Sequence, residues 1–380
     1  MNICFVIDDM STGGAQRVVS VLANEFAKQG HTVRILVWQD KENLSYELEN
    51  GVKPVFLSKE IPAASTPLRN LLFKIKCRLN PAHADINEDL ERYRRNSARV
   101  AAYFKKNPAD VVFSFLLKSN ILVGLSATRI PGKLVVAERN FPDRPLEAHI
   151  KELRNRAYAK ADVCVFQTKE QAEAFPMEIQ KKAVVIPNPV KDGLPAPFTG
   201  ERRKSIVNYC GFKEHKNIPL LIDAFALVAG KHPDYNLELF GYGDEKPIKE
   251  KIAALGLADR VTMRPFLPDI HSEVKDAAMF VMSSDYEGMP NALIEAMAIG
   301  LPVISTDCKG GGAKALIRDH ENGLLTPVGD VDALADAMSS YLEHPETAAK
   351  FAKEALKIKE ELNLASICDR WQQLFRKRNP

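Results

Sequence analysis

Short β-branched runs alternate with helical patterns along this chain, and the alternation starts twice. The first run, Asn2–Ile7, is apolar and leads into the turn Ser11-Thr12-Gly13-Gly14. Residues Ala15–Lys28 then set Val18, Val19, Val21, Leu22 and Phe26 on roughly one helical face. Gly30 ends that helix, and strands are predicted at Val33–Trp38, Val52–Leu57, Asp110–Phe115, Lys133–Ala137, Asp162–Gln167 and Ala183–Ile186. Proline and glycine then interrupt the pattern, in Pro187-Asn188-Pro189 and Gly193-Leu194-Pro195-Ala196-Pro197. It restarts at Ser205–Cys210 and recurs at Leu237–Phe240, Val261–Arg264, Met279–Met282 and Pro302–Ser305. Strand–helix–strand alternation builds a parallel sheet covered on both faces. The fold class is therefore α/β, with two Rossmann-like, doubly wound parallel-sheet domains at 1–190 and 191–365. A last helix, 366–378, carries Ile367, Trp371, Leu374 and Phe375 on one stripe, which the first domain can cover. Ligands bind beyond the carboxyl ends of such strands, so the cleft between the two sheets is the expected site.

Composition narrows the class. A chain of 380 residues exceeds one ordinary core. Its 46% hydrophobic and 27% charged residues exclude disorder. No apolar run reaches the roughly 18 residues a membrane span needs, and MNICFVIDDM reads as a strand, not a secretory signal. Cys4, Cys77, Cys164, Cys210, Cys308 and Cys368 are scattered, without a CxxC pair or a histidine cluster. They read as reduced thiols of a cytoplasmic protein, with no structural metal.

Net charge is only +3 but uneven: Thr66–Lys106 holds ten basic residues against four acidic, a surplus of six. Such a surplus points to an anionic partner. Within it, Pro67–Leu79 mixes apolar and basic residues. Two readings stand: a segment lying on an anionic membrane, with about 1 kcal/mol per basic residue, or an amphipathic helix with a solvated basic face.

The most informative stretch is Ser284–Gly300. A helix fits Asn291–Ile299, with Gly300 as its cap and Pro302 beyond. Gly288, Met289, Pro290 and Asn291 then form a turn at a helix N-terminus, where free N–H groups and the dipole favour an anion. Glu287 stands at the rim, and Glu295 lies one turn in, where a carboxylate can accept two hydroxyls of a vicinal diol. On spacing alone, a solvated loop acid and a first-turn acid offsetting the dipole serve as well.

The stretch resembles the Glu-x7-Glu motif of GT-B glycosyltransferases, in particular glycosyltransferase family 4, and the resemblance spans nearly the whole chain. Gly13-Gly14-Ala15-Gln16-Arg17-Val18 resembles the family's GGAERV loop, and Ala137-Glu138-Arg139-Asn140 an SERN-type segment of a bacterial polysaccharide branch. Val185-Ile186-Pro187-Asn188-Pro189-Val190 resembles its VIPNPV, and Gly241-Tyr242-Gly243 its G-x-G. Ser305-Thr306-Asp307-Cys308 with Gly310-Gly311-Gly312 resembles its STDCPxGG loop, and Asn322-Gly323-Leu324-Leu325 its NGLL.

The resemblance implies roles. Glu287 bonds a donor-sugar hydroxyl, and the backbone of Gly288, Met289, Pro290 and Asn291 cradles sugar and diphosphate. Glu295 holds the ribose hydroxyls and Lys216 meets the diphosphate as a point charge. Gly13 and Gly14 approach the phosphates from the other domain, and Phe266 and Leu267 form an apolar wall for the base. Glu138 and Arg139 lie toward the acceptor, Arg139 being either functional or a surface salt bridge. Two departures stand out. The family's G-R-L reads Gly211-Phe212-Lys213 here, so a bidentate arginine is replaced by phenylalanine with Lys213 as the nearest substitute. Ala315 stands where the family often has glutamate.

Lesser candidates have plainer readings. Gly241-Tyr242-Gly243 lacks the full dinucleotide fingerprint and reads as a helix-entering turn. Asp330-Val331-Asp332 spells a metal-binding DxD but precedes a helical pattern, so it reads as a helix cap. His31 reads as structural, and His215 as either site or surface.

The implied function is a retaining, metal-independent hexosyltransferase without cofactor. Its donor is a UDP- or GDP-sugar, and its acceptor a glycan or lipid-linked oligosaccharide of bacterial surface polysaccharide synthesis. The expected location is the cytoplasm, at the inner membrane face, with no nucleic-acid partner. The alternatives are a weakly active nucleotide-sugar binder and a GT-B-like sugar-nucleotide epimerase.

Overall fold

The computed structural model of the chain describes residues 1–39, 42–62, 84–142 and 144–375. The chain divides into two compact units, Met1–Ile186 with Cys368–Pro380, and Pro187–Ile367. The boundary thus falls at Ile186, slightly before the expected 190, and the end of the chain is counted with the first unit. The basic segment Pro67–Leu79 and residues 376–378 lie outside the described residues.

The first unit holds a seven-stranded sheet: β1 (Asn2–Ile7), β2 (Thr32–Val37), β3 (Lys53–Phe56), β4 (Val111–Phe115), β5 (Lys133–Ala137), β6 (Val163–Phe166) and β7 (Ala183–Val185). Its order is β3-β2-β1-β4-β5-β6-β7, and each pairing is parallel. Strands buried on both faces read as continuous apolar runs, and β1 and β4 are buried almost end to end. Helix Ala84–Lys106, in the basic stretch, sets Tyr93, Val100, Tyr103 and Phe104 into this core.

The second unit holds six parallel strands: β8 (Arg203–Phe212), β9 (Asn236–Gly243), β10 (Val261–Pro265), β11 (Ala277–Met282), β12 (Val303–Thr306) and β13 (Leu324–Thr326). The order β10-β9-β8-β11-β12-β13 reverses direction between β8 and β11. That reversal is the switch point at which open α/β sheets gather ligands.

Gly241-Tyr242-Gly243 corrects one expectation: these residues end β9 and do not begin a helix. A Cβ on Gly241 would lie 2.1 Å from the Cys210 carbonyl oxygen, and one on Gly243 2.5 Å from that of Phe212. The glycines let β9 run tightly against the end of β8.

Helix Leu364–Gln372 carries Ile367 and Trp371 of the predicted stripe, and the 3-10 turn Gln373–Phe375 that follows carries Leu374 and Phe375. Trp371 is fully buried, edge-on to Phe113 at 5.4 Å and stacked on Phe115 at 5.5 Å. Asp330 caps helix Val331–Glu343 by accepting from the Ala333 N–H at 2.9 Å. His31 packs edge-on to Phe26 and Phe375. Among the described residues, no helix is long and apolar enough to cross a membrane.

Candidate functional site

The loops after β8 and β11 meet at the switch point and are laced together. Lys213 follows β8 and leads into a single 3-10 turn, Glu214–Lys216. Asn217 then adopts the left-handed region (φ 45°), which asparagine tolerates better than most residues. Its side chain accepts from the Leu220 N–H at 3.3 Å, capping helix Ile218–Lys231, and donates to Asp285 Oδ1 at 2.8 Å. The Asp285 N–H donates to the His215 carbonyl at 2.8 Å, and Ser283 Oγ donates to that of Lys216 at 2.9 Å.

This lacing joins the Lys216 ammonium to Glu287 Oε1 in an ion pair. Ser284 Oγ donates to the same oxygen at 2.8 Å. Burial works against the Lys216 charge, but the Glu287 carboxylate outweighs it and holds the lysine pKa above its ordinary value. His215 stacks on Tyr286 at 4.8 Å. Burial holds its imidazole pKa below the ordinary value, the Lys216 and Lys213 charges reinforcing that against Glu287 and Asp285.

Gly288–Asn291 form the turn into helix Asn291–Ala298, and Gly300 follows with φ 74°. Three contacts set its shape. The Glu287 N–H donates to the Lys309 carbonyl at 3.0 Å. A Cβ on Gly312 would lie 2.1 Å from the Gly288 carbonyl oxygen and 2.9 Å from Pro290 Cδ, so glycine alone fits there. Asn188 Nδ2 donates to the Met289 carbonyl at 3.3 Å and to Asn291 Oδ1 at 2.9 Å.

Glu295 is buried one turn into this helix, 9% exposed, and its Oε2 lies 2.9 Å from His271 Nε2. The other predicted residues of this unit sit differently. Lys213 is exposed, and among the described residues no ion pair involves it. Phe212 is 4% exposed, belongs to the buried core of this unit, and packs its ring against Gly241. Phe266 and Leu267 follow the edge strand β10. Phe266 is half exposed and edge-on to the equally exposed Tyr242, at 6.0 Å.

In the first unit, Gly13 N–H donates to the Tyr46 hydroxyl at 3.0 Å, and that hydroxyl lies 2.9 Å from the Gly13 carbonyl. Gly14 opens helix Gly14–Lys28. Glu138 corrects the acceptor-side expectation. It is fully buried, accepting from the N–H groups of Arg139 and Asn140 at 3.0 and 3.1 Å and from the Tyr158 hydroxyl at 3.0 Å. Its carboxylate is used in shaping the loop after β5. Arg139 is no surface salt bridge either. It is buried with its guanidinium 4.8 Å from the Phe115 ring and 5.2 Å from that of Trp371. Burial lowers its pKa to about 9.

Comparison with known proteins shows the family and the fold. The model for glycosyl transferases group 1 matches residues 196–358, and that for Glycosyltransferase Family 4 matches residues 12–193. The chain belongs to glycosyltransferase family 4 and has the GT-B fold. An uncharacterized glycosyltransferase of Haemophilus influenzae is 26% identical over 173 residues, 45% of this family 4 chain and 49% of the relative. The Campylobacter jejuni protein named GalNAc-alpha-(1->4)-GalNAc-alpha-(1->3)-diNAcBac-PP-undecaprenol alpha-1,4-N-acetyl-D-galactosaminyltransferase is 25% identical over 391 residues, covering 99% of this chain and 98% of its own. HepE of Anabaena, solved in complex with UDP, shares the fold with a TM-score of 0.76 at 17% identity, over 98% of this chain and 99% of its own. The chain spans half or less of the first curated relatives it matches, 49% and 40% of their lengths.

Several residues that build the family 4 site escaped the sequence reading. Asn188 was read as part of a linker and of the VIPNPV resemblance, with no role of its own, although an asparagine between two prolines was a visible signal. Ser284 opens the stretch read as most informative but was given no role there, and His271 and Asn217 were not singled out; the fold brings the three to Glu287, Glu295 and Asp285.

Proposed function

We propose that this chain is a retaining, metal-independent glycosyltransferase. It moves a hexose or N-acetylhexosamine from a UDP- or GDP-sugar to a glycan or lipid-linked oligosaccharide of bacterial surface polysaccharide synthesis. One observation carries the reading: the Lys216–Glu287 pair sits at the switch point, on the turn that opens the helix bearing Glu295. A cation, a helix N-terminus and two fixed carboxylates are what a sugar diphosphate nucleoside needs. Glu295 takes the ribose hydroxyls, the turn and Lys216 take the diphosphate, and Glu287 takes a sugar hydroxyl.

In the reaction the bond from the anomeric carbon to the diphosphate oxygen breaks, and one to the acceptor oxygen forms on the same face. The acceptor proton passes to the departing phosphate oxygen. Lys216 stabilises the negative charge that grows there. Relatives support the acceptor class: one is named for an undecaprenol-linked glycan and one as a lipopolysaccharide core glycosyltransferase. Such acceptors fit a cytoplasmic protein working at the inner membrane face, with the basic stretch Thr66–Lys106 toward anionic lipid.

Purified protein with UDP- and GDP-sugars and lipid-linked or free glycan acceptors tests this. The expected result is nucleoside diphosphate release that depends on acceptor, lost in Glu295→Ala. Full turnover by Glu295→Ala overturns the site assignment. A second reading, a nucleotide-sugar binder of little activity, is favoured by Phe212, which lies in the core where the family carries its diphosphate arginine. Donor binding with neither hydrolysis nor transfer is its outcome.

A further inference from the structure

His271 lies in the short helix Ile270–Val274 between β10 and β11. Its neighbours Ser272 and Glu273 are exposed, yet the histidine itself is only 4% exposed. Its Nε2 lies 2.9 Å from Glu295 Oε2. The ring stands edge-on to Tyr209 of β8 at 6.0 Å and 83°. The Tyr209 hydroxyl in turn donates to the Ala292 carbonyl at 2.9 Å, in the first turn of the helix that carries Glu295. Three elements therefore converge on one carboxylate.

Chemistry fixes the direction of the contact. An ionised carboxylate only accepts hydrogen bonds, so Nε2 must carry the proton in the bond to Glu295. A hydrogen bond to a charged group is short and directional, and here it is shielded from water, which strengthens it. The consequence is orientation. Glutamate has three rotatable bonds, and the bond to His271 narrows the rotamers open to this one. With Oε2 tied to His271, the plane of the carboxylate is set. A vicinal diol needs that plane, because its two hydroxyls reach one carboxylate together in a limited set of orientations.

We propose that His271 is a positioning residue for the nucleotide: its Nε2–H holds Glu295 in the orientation that reads the 2′,3′-diol, and the chain thereby selects ribonucleotides over 2′-deoxyribonucleotides. The inference rests on the reading that Glu295 takes the ribose hydroxyls. His271 touches neither the sugar nor the diphosphate in this scheme. Its loss acts on nucleotide affinity and not on the chemical step.

Calorimetric titration of the purified full chain with UDP, GDP, dUDP and dGDP tests it, alongside His271→Leu and His271→Gln. Leucine keeps much of the volume without a donor, and the glutamine amide N–H can stand near the place of Nε2. The wild type is expected to prefer the better ribonucleotide over its deoxy form by about tenfold or more, the worth of hydrogen bonds to a charged group. His271→Leu narrows that preference to about threefold or less, raising the donor KM with kcat little changed; His271→Gln restores most of it. A structural role alone lowers melting temperature and moves both nucleotides together, which overturns the inference. Undiminished discrimination by His271→Leu overturns it also, and so does a His271→Gln no better than the leucine variant. A wild type that binds ribo and deoxy forms equally overturns the Glu295 reading and the inference with it. Discrimination in the wild type that survives the leucine substitution overturns the inference alone.

Discussion

Asn188 donates a 2.9 Å hydrogen bond to Asn291 Oδ1, across 103 residues of sequence. The residue before a proline is pressed toward extended backbone, and Asn188 has a proline on each side. A stiff segment thus anchors the turn on which donor binding is proposed to depend. Asn188→Ala removes this bond and the one to the Met289 carbonyl. The expected loss is about 1–3 kcal/mol of stability, read from urea midpoints, with the donor KM rising more than kcat falls.

The Lys216–Glu287 pair is mostly buried on both sides, so removing one partner leaves the other charge stranded. Glu287→Gln is expected to lower turnover by a factor on the order of 10² to 10³, the usual size for one preorganised electrostatic contact. Steady-state kinetics at saturating donor measures it. Unaltered kcat would show that the pair is only a strut between two loops.

The turn also depends on Gly312, whose Cβ position is taken by the Gly288 carbonyl. Gly312→Ala is expected to cost about 1–3 kcal/mol as an overpacking change and to weaken donor binding with it. Gly230, in helix Ile218–Lys231 with nothing within 4 Å, is the control. Gly230→Ala is expected to stabilise by about 0.5–1 kcal/mol. Thermal melts of the two variants should move in opposite directions.

Acid should loosen this region through His215. Its folded pKa is lowered, chiefly by burial, so the unfolded chain takes up the proton first, near pH 6.5. The contribution of a neutral His215 is therefore intact above about pH 6.5 and shrinks as pH falls from there toward the lower folded value. Urea midpoints at pH 7.5 and 5.5 check it: the drop should be smaller in His215→Gln.

Restoring the family's arginine should fail. Phe212 is buried in the core of the second unit and packs over Gly241 and Gly243. Phe212→Arg forces a charge into that core and is expected to destabilise by about 3 kcal/mol or more, not to raise turnover. A well-folded, faster variant would show instead that the side chain at 212 can swing out to the diphosphate.

Much of this was legible in advance because parallel strands buried on both faces announce themselves as apolar runs. Asn2–Ile7 and Lys133–Ala137 appear with their predicted ends, and the other predicted strands differ by one to three residues at one or both ends. The turn Gly288–Asn291 was legible because glycine and proline just before a helix are local chemistry. The supports of that turn were not. His271 and Ser284 act through contacts that exist only once the sheet is assembled, and nothing in periodicity marks them. Glu138 misled for a related reason: a carboxylate at the carboxyl edge of a strand reads as exposed, while here its oxygens are taken by the next two backbone N–H groups and by Tyr158. Gly241 and Gly243 misled because glycine marks close approach of two strands as readily as a turn.

Trp371 has a consequence in time as well as in space. It stacks on Phe115 and meets Phe113 edge-on, while the neighbouring Arg370 donates to the Val185 carbonyl, 185 residues earlier. At about 5–20 residues per second, a ribosome needs on the order of ten to forty seconds to bridge that gap. For that interval the nascent first unit has all seven strands, with Phe113 and Phe115 packed against Phe5, but lacks the Trp371 ring on them. It waits with one side of that aromatic cluster unfinished until the last helix is synthesised.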